Sequence, residues 1–410
     1  MTMIHLESAT ALGASSVPFG LAGREPVNAA TRAAAVAAVA ARHADDVDAR
    51  SRFPAEAIDS AREHGLLGMA VPVDLGGEGA DIADIMEVCY RLGRACSSTA
   101  MIFAMHQIKV ACIIDHGLAS PWHQAMLRRL SADQLLMASS TTEGQNGGNV
   151  RSSAAAVETD GDTIRLDRAA TVISYGAEAD GIVTTARRSA DAASSDQVLV
   201  VLLKDDYSLE RLNGWDTLGM RGTCSAGFSL RAEAGAERVL PVGYDKIHAQ
   251  TMTPVAHLLW SSVWSGIAAA AVERAQMFTR KASRGMGGQL PPGAMHFTRA
   301  TSSLRTLCGL INSGLRRYQA ARGDPAKLAA MDFQTTLTLL KVDASELAVA
   351  TVMSALRACG LSGYRNDGDA SVGRHLRDVL SSPLMINNDR ILGNSALSSL
   401  MSTVPQSLVD

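Results

Sequence analysis

The chain changes its hydrophobic period twice, and this three-part pattern limits the folds it can adopt. Apolar residues recur at helical spacing through most of 28–116. Over 134–240 the period falls to two, and after Pro241 the helical period returns and persists to the end. The pattern predicts an α+β protein with a loose leader (1–25), a helical domain (26–132), a β domain (133–245) and a helical bundle (246–410).

Individual elements follow from the same periods. The helical spacing predicts helices over 28–49, 53–67, 81–93 and 99–116, and long helices over 252–283, 294–321 and 326–359. The two-residue alternation predicts strands over 135–141, 154–158, 163–173, 181–186 and 197–203, with a hairpin turn at Asp160-Gly161.

Length, charge and cysteine usage exclude several classes of function. At 410 residues, 47% of them hydrophobic, the chain can bury a large core. Its 38 basic and 41 acidic residues give a net charge of −3 with no basic block, so we expect no nucleic-acid or membrane partner. Six scattered cysteines show no zinc-ligand spacing, which predicts a cytoplasmic protein without a structural metal. The N-terminus does not resemble a signal peptide, and we expect no apolar run near the ~18 residues that span a bilayer.

Two short motifs in the predicted β domain carry the strongest functional signal. Residues 139–149 read SSTTEGQNGGN, and residues 170–180 read ATVISYGAEAD. Each joins a β-branched run to Gly, Asn or hydroxyl residues, so a strand ends in a loop whose main-chain N–H groups and hydroxyls could hold a planar polar ligand such as a flavin. The residues alone fit ordinary Gly/Asn turns equally well.

The order and spacing of these motifs resemble the acyl-CoA dehydrogenase family. Its middle domain carries Thr-Glu-Pro-x-x-Gly-Ser-Asp followed by Trp-Ile-Thr-Asn-Gly-x-x-Ala-Asp. The resemblance covers roughly residues 30–400. It implies a middle β-barrel or sandwich, a C-terminal four-helix bundle and assembly as a homotetramer or homodimer. Further segments are similar in the same order, namely 66–79 (LLGMAVPVDLGGEG), 215–225 (WDTLGMRGTCS), 360–364 (GLSGY) and 374–378 (RHLRD).

The resemblance also implies a cofactor and its neighbours. FAD would be held without a Rossmann unit, since no Gly-x-Gly-x-x-Gly lies between a strand and a helix. Arg284 would reach a flavin phosphate across a subunit interface, or be an ordinary cation at a helix C-terminus. Arg221, beside Gly-rich turns, is expected to tie loops together through main-chain carbonyls. The positions that correspond to flavin-binding residues are Thr141, Thr142, Val172, Ile173, Ser174, Gly360 and Asn388, and those expected to contact substrate are Gly148, Met105 and Ile386.

The sequence departs from the family where the catalytic base belongs. Family members remove the α-proton of an acyl thioester with a glutamate while a hydride passes to the flavin. That glutamate corresponds to Ile386 here, and the position used by some other members corresponds to Ala256. The titratable candidates that remain are His257, His106 and Asp389. Each histidine could instead be a packed core residue, and Asp389 fits a helix N-cap or an ion pair.

Three functions are compatible with these observations. The first is FAD-dependent α,β-dehydrogenation of an acyl thioester, on coenzyme A or a carrier protein, with an unconventional base. Its electron acceptor would be electron-transfer flavoprotein or oxygen. The second is a flavin-dependent monooxygenase or oxidase on the same fold, which does not need the glutamate. The third is a non-catalytic relative that binds acyl groups or flavin.

Overall fold

The computed structural model describes residues 28–143, 149–401 and 404. The predicted leader and Gly148 lie outside these ranges. Within them, helices precede and follow two β-sheets, in the α–β–α order that the hydrophobic periods predict.

Five helices precede the first strand. Asp81 caps the third, because its carboxylate accepts the main-chain N–H groups of Ala83 and Asp84. The last of the five begins at a proline in its first turn and is an element that the periodicity does not predict. The other four confirm the prediction. The helices are α1 (Ala29–Arg50), α2 (Ala55–Glu63), α3 (Ile82–Ala95), α4 (Ser97–Gly117) and α5 (Pro121–Asp133).

The described strands form two sheets. They are β1 (Met137–Ser140), β2 (Glu158–Asp160), β3 (Thr163–Ile173), β4 (Gly181–Arg187), β5 (Gln197–Leu203), β6 (Tyr207–Arg211) and β7 (Ala226–Gly235). One sheet has the order β1-β4-β5, with β1 parallel to β4, and the other is antiparallel with the order β2-β3-β7-β6. The strand predicted over 154–158 begins instead at Glu158. Strands β6 and β7 are additional elements that the two-residue alternation does not predict.

The barrel form of the predicted β domain is wrong for the described residues, because the two sheets do not close on each other. Among the described residues, isolated bridges join Glu143 to Ala170 and Ala156 to Arg187, where a barrel would need a continuous ladder.

The C-terminal part is helical, as predicted. The long helix α10 packs against α7, α8 and α12 to form a bundle. Gly360 has φ 55° and ψ −138° and kinks α10 near its end. The helices are α6 (Tyr244–Ile247), α7 (Thr253–Gly285), α8 (Ala294–Ala321), α9 (Pro325–Ala329), α10 (Met331–Tyr364), α11 (Gly373–Val379) and α12 (Asn388–Met401), and a π-helical turn over His248–Met252 joins α6 to α7.

Two core helices frame the functional site. By length and composition, α4 and the continuous helix Tyr244–Gly285 could each cross a membrane, contrary to the expectation of no such run. Their most apolar windows are 89% and 94% buried inside the protein, however, which identifies them as core helices. Glycine allows the close packing of α3 on α7, because a Cβ at Gly266 would lie 2.3 Å from the main-chain oxygen of Tyr90.

Candidate active site

A cavity of 560 Å³ lies where α4, the beginning of α7, both sheets and the segment after α11 meet. Its volume is within the range of small-molecule and cofactor sites. Most of its described lining is apolar, with methionine, leucine and tryptophan side chains, and a smaller group of hydroxyl and titratable side chains completes it. The cavity therefore suits a largely apolar ligand held by a few polar contacts.

The sheet wall of the cavity is built by the two motifs. Thr141 and Thr142 follow β1, and their hydroxyls have no hydrogen-bond partner among the described residues. On β3 the register with β7 shifts between Ala170 and Ile173, so Val172 lies in a bulge. Bulges redirect side chains and are common beside active sites. Here the bulge coincides with the strand end that brings Val172 into the cavity lining.

Three hydroxyls on this wall form a hydrogen-bond chain with a fixed direction. Thr223 Oγ1 donates to the main-chain oxygen of Met220 at 2.8 Å. It therefore has no proton left for Ser225 Oγ at 2.8 Å, and Ser225 must donate to it. Ser174 Oγ, 2.7 Å from Ser225 Oγ, must then donate to Ser225. Ser174 is left with acceptor lone pairs, and because it lines the cavity it can accept an N–H from a ligand.

The helical wall is shaped by the π-helical turn. The turn brings His248 and Met252 into the lining, next to Ala256 and His257 on α7. Such turns occur mostly at functional sites, because the extra residue shifts the side chains that follow. Burial and the nearby positive charge of Arg151 lower the pKa of His248 to about 3, so its ring is neutral at pH 7.

His257 presents one free nitrogen at this wall. Its Nδ1 lies 2.9 Å from the main-chain oxygen of Leu337. A carbonyl can only accept, so Nδ1 carries the proton and Nε2 carries the lone pair. Among the described residues no group bonds to Nε2. Burial lowers the pKa of His257 to about 4, so the ring is neutral near pH 7 and the lone pair of Nε2 is unprotonated.

Lys109 on α4 is a buried charged group in the cavity lining. Only 3% of its surface is exposed, and its Nζ contacts Met252 Sδ at 3.2 Å. Burial, with a further contribution from Arg168, lowers its pKa to about 8. The lysine is therefore still mainly protonated at pH 7.

The described lining of the cavity contains no aspartate or glutamate. Ile386 and Ala256, the two positions that correspond to the family's glutamate, both lie in the lining. Both positions therefore lie in the cavity wall, and both carry an apolar side chain. Asp389 lies in the first turn of α12 and is not part of the lining, and the side chain that accepts its N–H and that of Arg390 is Asn387.

His106 differs from His257 in its surroundings. His106 is fully buried outside the cavity lining, and both ring nitrogens bond to main chain. Nδ1 accepts the N–H of Met137 at 3.0 Å, and Nε2 donates to the oxygen of Leu67 at 2.8 Å. With both nitrogens occupied, His106 ties α4 to β1 and has no free atom for a substrate.

The other predicted site residues divide between the cavity and elsewhere. Thr141, Thr142, Val172, Ser174, Met105 and Ile386 line it together with His257. Ile173 is buried behind the wall, Arg284 and Gly360 are exposed, and Asn388 is buried beneath α10, where it accepts a hydrogen bond from Lys341 Nζ at 2.7 Å. Gly148 lies outside the described residues. The roles proposed for all of them stay predictions.

A buried ion pair and a half-buried arginine hold the loops that shape the sheet wall. Glu143, next to Thr142, accepts the N–H groups of Ala154 and Ala155 and lies 3.5 Å from Arg168 Nη1. Arg221 donates to the main-chain oxygens of Asp48 and Thr217, as expected for a residue that ties loops together. These contacts position the hydroxyl residues without entering the cavity.

Comparison with known proteins places this site in a family context. Residues 25–128 match the family described as acyl-CoA dehydrogenase, N-terminal domain. The crystal structure of FMN-bound TdsC from Paenibacillus sp. A11-2 superimposes with a TM-score of 0.79 over 93% of this chain and 100% of that one, at 18% identity. The chain has the acyl-CoA dehydrogenase fold. Ile386 and Ala256 stand at the two positions where the sequence resemblance places a glutamate.

Known proteins with the acyl-CoA dehydrogenase fold that resemble this chain differ in activity. L-evernosamine nitrososynthase of Micromonospora sp. is 28% identical over 360 residues, 83% of this chain and 82% of the relative. The mitochondrial short-chain specific acyl-CoA dehydrogenase of Bos taurus is 26% identical over 349 residues, 82% and 80% respectively. The nitrososynthase structure from Micromonospora carbonacea var. africana has a TM-score of 0.77 at 21% identity and covers 92% of this chain and 96% of that one. The fold is thus shared by proteins that carry out different reactions.

Sequence reasoning missed several groups that line the site, among them Lys109, His248 and the hydroxyls of Thr223 and Ser225. A signal for Lys109 exists, because it is the single Lys or Arg in the apolar helix α4 and lies between Ile108 and Val110. For the other three no local pattern was available, since their positions depend on a π-helical turn and on a loop brought from elsewhere in the chain.

Proposed function

We propose that this protein is a flavin-dependent monooxygenase that oxidises a small, largely apolar substrate. The observation that carries the proposal is the cavity lining, in which Ile386 and Ala256 replace the glutamate and no described carboxylate takes its place. Removing an α-proton from a thioester needs a strong, well-placed base, whereas transfer of oxygen from a reduced flavin does not need that carboxylate. The relative described as a nitrososynthase supports the same assignment.

The residues of the sheet wall fit a flavin ring. The free hydroxyls of Thr141 and Thr142 and the acceptor lone pairs of Ser174 are arranged along one wall, and the bulge at Val172 offers an apolar surface beside them. A ring system with N–H donors and carbonyl acceptors matches this set of contacts. FAD is the predicted form, and FMN is the alternative. When bound and reduced, the flavin supplies two electrons, so that dioxygen gives one oxygen atom to the substrate and the other to water.

The helical wall would position and deprotonate the substrate. His257 Nε2 can take a proton from an acidic N–H, O–H or C–H of the substrate, while Leu337 holds the ring in the required tautomer. The surrounding apolar side chains, such as Met101, Met105 and Trp260, exclude water, which limits wasteful release of reduced oxygen.

Dehydrogenation of an acyl thioester remains the second candidate. It is favoured by the free Nε2 of His257, which could replace the glutamate as the base, and by the relatives described as acyl-CoA dehydrogenases. In this case the product would be an α,β-unsaturated thioester, and the electrons would leave the flavin for a protein acceptor or oxygen.

One experiment with two arms separates the candidates. In the first arm, purified flavin-loaded protein is mixed anaerobically with saturated acyl-CoA thioesters of increasing chain length, and the flavin absorbance is followed. In the second, chemically reduced flavin, oxygen and a panel of amines and aromatic acids are supplied, and labelled oxygen in the product is measured by mass spectrometry. Incorporation of label without anaerobic bleaching supports the proposal. Bleaching by a thioester with no label incorporated would overturn it in favour of dehydrogenation.

A further inference from the structure

We propose that Lys109 recognises a negatively charged oxygen of the substrate, such as a carboxylate, and that the substrate is therefore an apolar acid. This inference rests on the proposed function, because it names the substrate class of the same cavity. It is carried by the position of Lys109 Nζ, which is buried in the cavity wall and contacts only a thioether among the described residues.

The surroundings of Lys109 contain no counter-charge. Cys112, one turn further along α4, has its pKa raised to about 12 by burial and is neutral. Asp115, further along the same helix, accepts a hydrogen bond from Thr251 Oγ1 at 2.8 Å and does not reach Lys109. Arg168, behind the sheet wall, adds positive charge. Burying an ammonium without an anion is unfavourable, and a ligand that brings the anion offsets this cost.

A second buried lysine shows how this chain satisfies a structural ammonium. Lys341 on α10 is fully buried and also has its pKa lowered by burial to about 8. Its Nζ donates to Asn388 Oδ1 at 2.7 Å and lies over the Trp264 ring at 5.6 Å. Lys341 thus has an oxygen acceptor and an aromatic face within the protein, whereas Lys109 has only Met252 Sδ. Lys109 and Lys341 are similarly buried, but only Lys109 lacks an oxygen acceptor and lines the cavity.

The rest of the helical wall indicates what the acid is attached to. Met101, Met105, Ile108 and Met252 line the cavity beside Lys109. The three methionines are flexible and polarisable, and with Ile108 they form an apolar surface that packs well against an aromatic ring or a short alkyl chain. The hydroxyls proposed to hold the flavin belong to the sheet wall, so a substrate bound to Lys109 would lie between the helices and the flavin.

A flavin phosphate has the same anionic chemistry and could also approach a lysine, so the test must distinguish the two sources. Flavin-loaded protein is titrated with three matched pairs of probes, namely phenylacetate, 3-phenylpropionate and 4-phenylbutyrate with their primary amides. Binding is followed by the fluorescence of Trp215 and Trp260, which line the cavity. We expect each acid that binds to bind roughly 10- to 100-fold more tightly than its amide, the usual effect of a hydrogen bond to a charged group.

The variants are Lys109→Met and Lys109→Gln, with Lys341→Met as the matched control for loss of a buried lysine. The preference for acids should disappear in both Lys109 variants and persist in Lys341→Met, while flavin content stays unchanged. If wild-type protein shows no preference for acids in any pair, or if either folded Lys109 variant keeps the preference, the inference is wrong. Loss of flavin from the Lys109 variants would also overturn it and assign Lys109 to the phosphate. A failure of the monooxygenase assignment would appear in the oxygen-labelling experiment and leave these binding results unaffected.

Discussion

The Nδ1 atom of His257 lies 2.9 Å from the main-chain oxygen of Leu337, and this contact fixes the tautomer of the only cavity histidine whose Nε2 has no bonded group among the described residues. Because burial lowers the pKa of His257 to about 4, its base form is present at every pH above that value. The helix pair α7 and α10 thus positions a proton acceptor without any carboxylate.

The first prediction concerns His257. His257→Ala should keep its flavin but lose turnover by about 10²-fold or more, the usual contribution of a general base. The pH dependence should change with it, since the wild-type activity falls only as the pH approaches the lowered pKa and the variant should lack that acid limb. Steady-state kinetics against pH measure both effects. His375→Gln, at a buried histidine outside the lining, is the control. Wild-type rates in His257→Ala would exclude it as the base.

The second prediction concerns the flavin site. Thr142→Trp should release the cofactor, because an indole at this position would occupy the space next to the free hydroxyls of the sheet wall. Thr142→Ser keeps a hydroxyl and should keep the flavin. Absorbance per mole of protein gives the occupancy, and chromatography of the released cofactor distinguishes FAD from FMN. Full occupancy in Thr142→Trp would show that the ring lies elsewhere.

The third prediction concerns the support of the loop after β1. Arg168→Met should lower the free energy of unfolding by about 3–5 kcal/mol, because it leaves the buried carboxylate of Glu143 without its cation. Arg165→Met lies on the same strand, where Arg165 pairs with Glu233 at the surface, and should destabilise the protein much less, because water screens an exposed pair. Urea denaturation of the two variants provides the comparison. Equal losses of stability in the two variants would show that the buried pair stabilises the protein no more than the exposed pair does.

The fourth prediction concerns acid sensitivity. Burial lowers the pKa of His106 to about 4 from an ordinary value of 6.5. The unfolded chain therefore binds a proton first, so stability is full above about pH 6.5 and is lost as the pH falls toward the folded value. One such group changes the free energy of unfolding by roughly 3 kcal/mol across this pH range. His106→Gln should flatten this part of the stability–pH curve, measured by denaturation at several pH values, and an unchanged slope would contradict the assignment.

The fifth prediction concerns assembly, for which the family resemblance implies a homotetramer or homodimer. Large apolar side chains on the C-terminal helices are exposed in the single chain, among them Met277, Met353, Leu361 and Leu397. Light scattering should therefore give a mass above 43.0 kDa. Met353→Glu should lower that mass, whereas Leu212→Glu, at an exposed leucine after β6, should not. A monomer at all concentrations would contradict the prediction and remove any role for Arg284 across an interface.

Local pattern predicted most of the elements correctly. Strand β5 has the predicted bounds 197–203, because a buried run of β-branched and leucine residues leaves little choice of conformation. The hydrophobic period does not predict helix α5, since its apolar positions are few and its start depends on Ser120 and Pro121. The barrel prediction failed because closure depends on how strand edges meet, and the alternation within each strand contains no information about that.

The sequence by itself determined the α–β–α order of this protein, the two hydroxyl-bearing loops that follow strands and the loss of the family's glutamate at Ile386 and Ala256. Each of these is a local property, either of hydrophobic spacing or of one residue at one position. The tertiary structure decided which polar groups meet in the cavity. It engaged both nitrogens of His106 with main chain, left Nε2 of His257 free, and placed Lys109 beside a thioether without a counter-ion. Such differences cannot be read from neighbouring residues, because the partners lie 31 to 143 positions away in the chain.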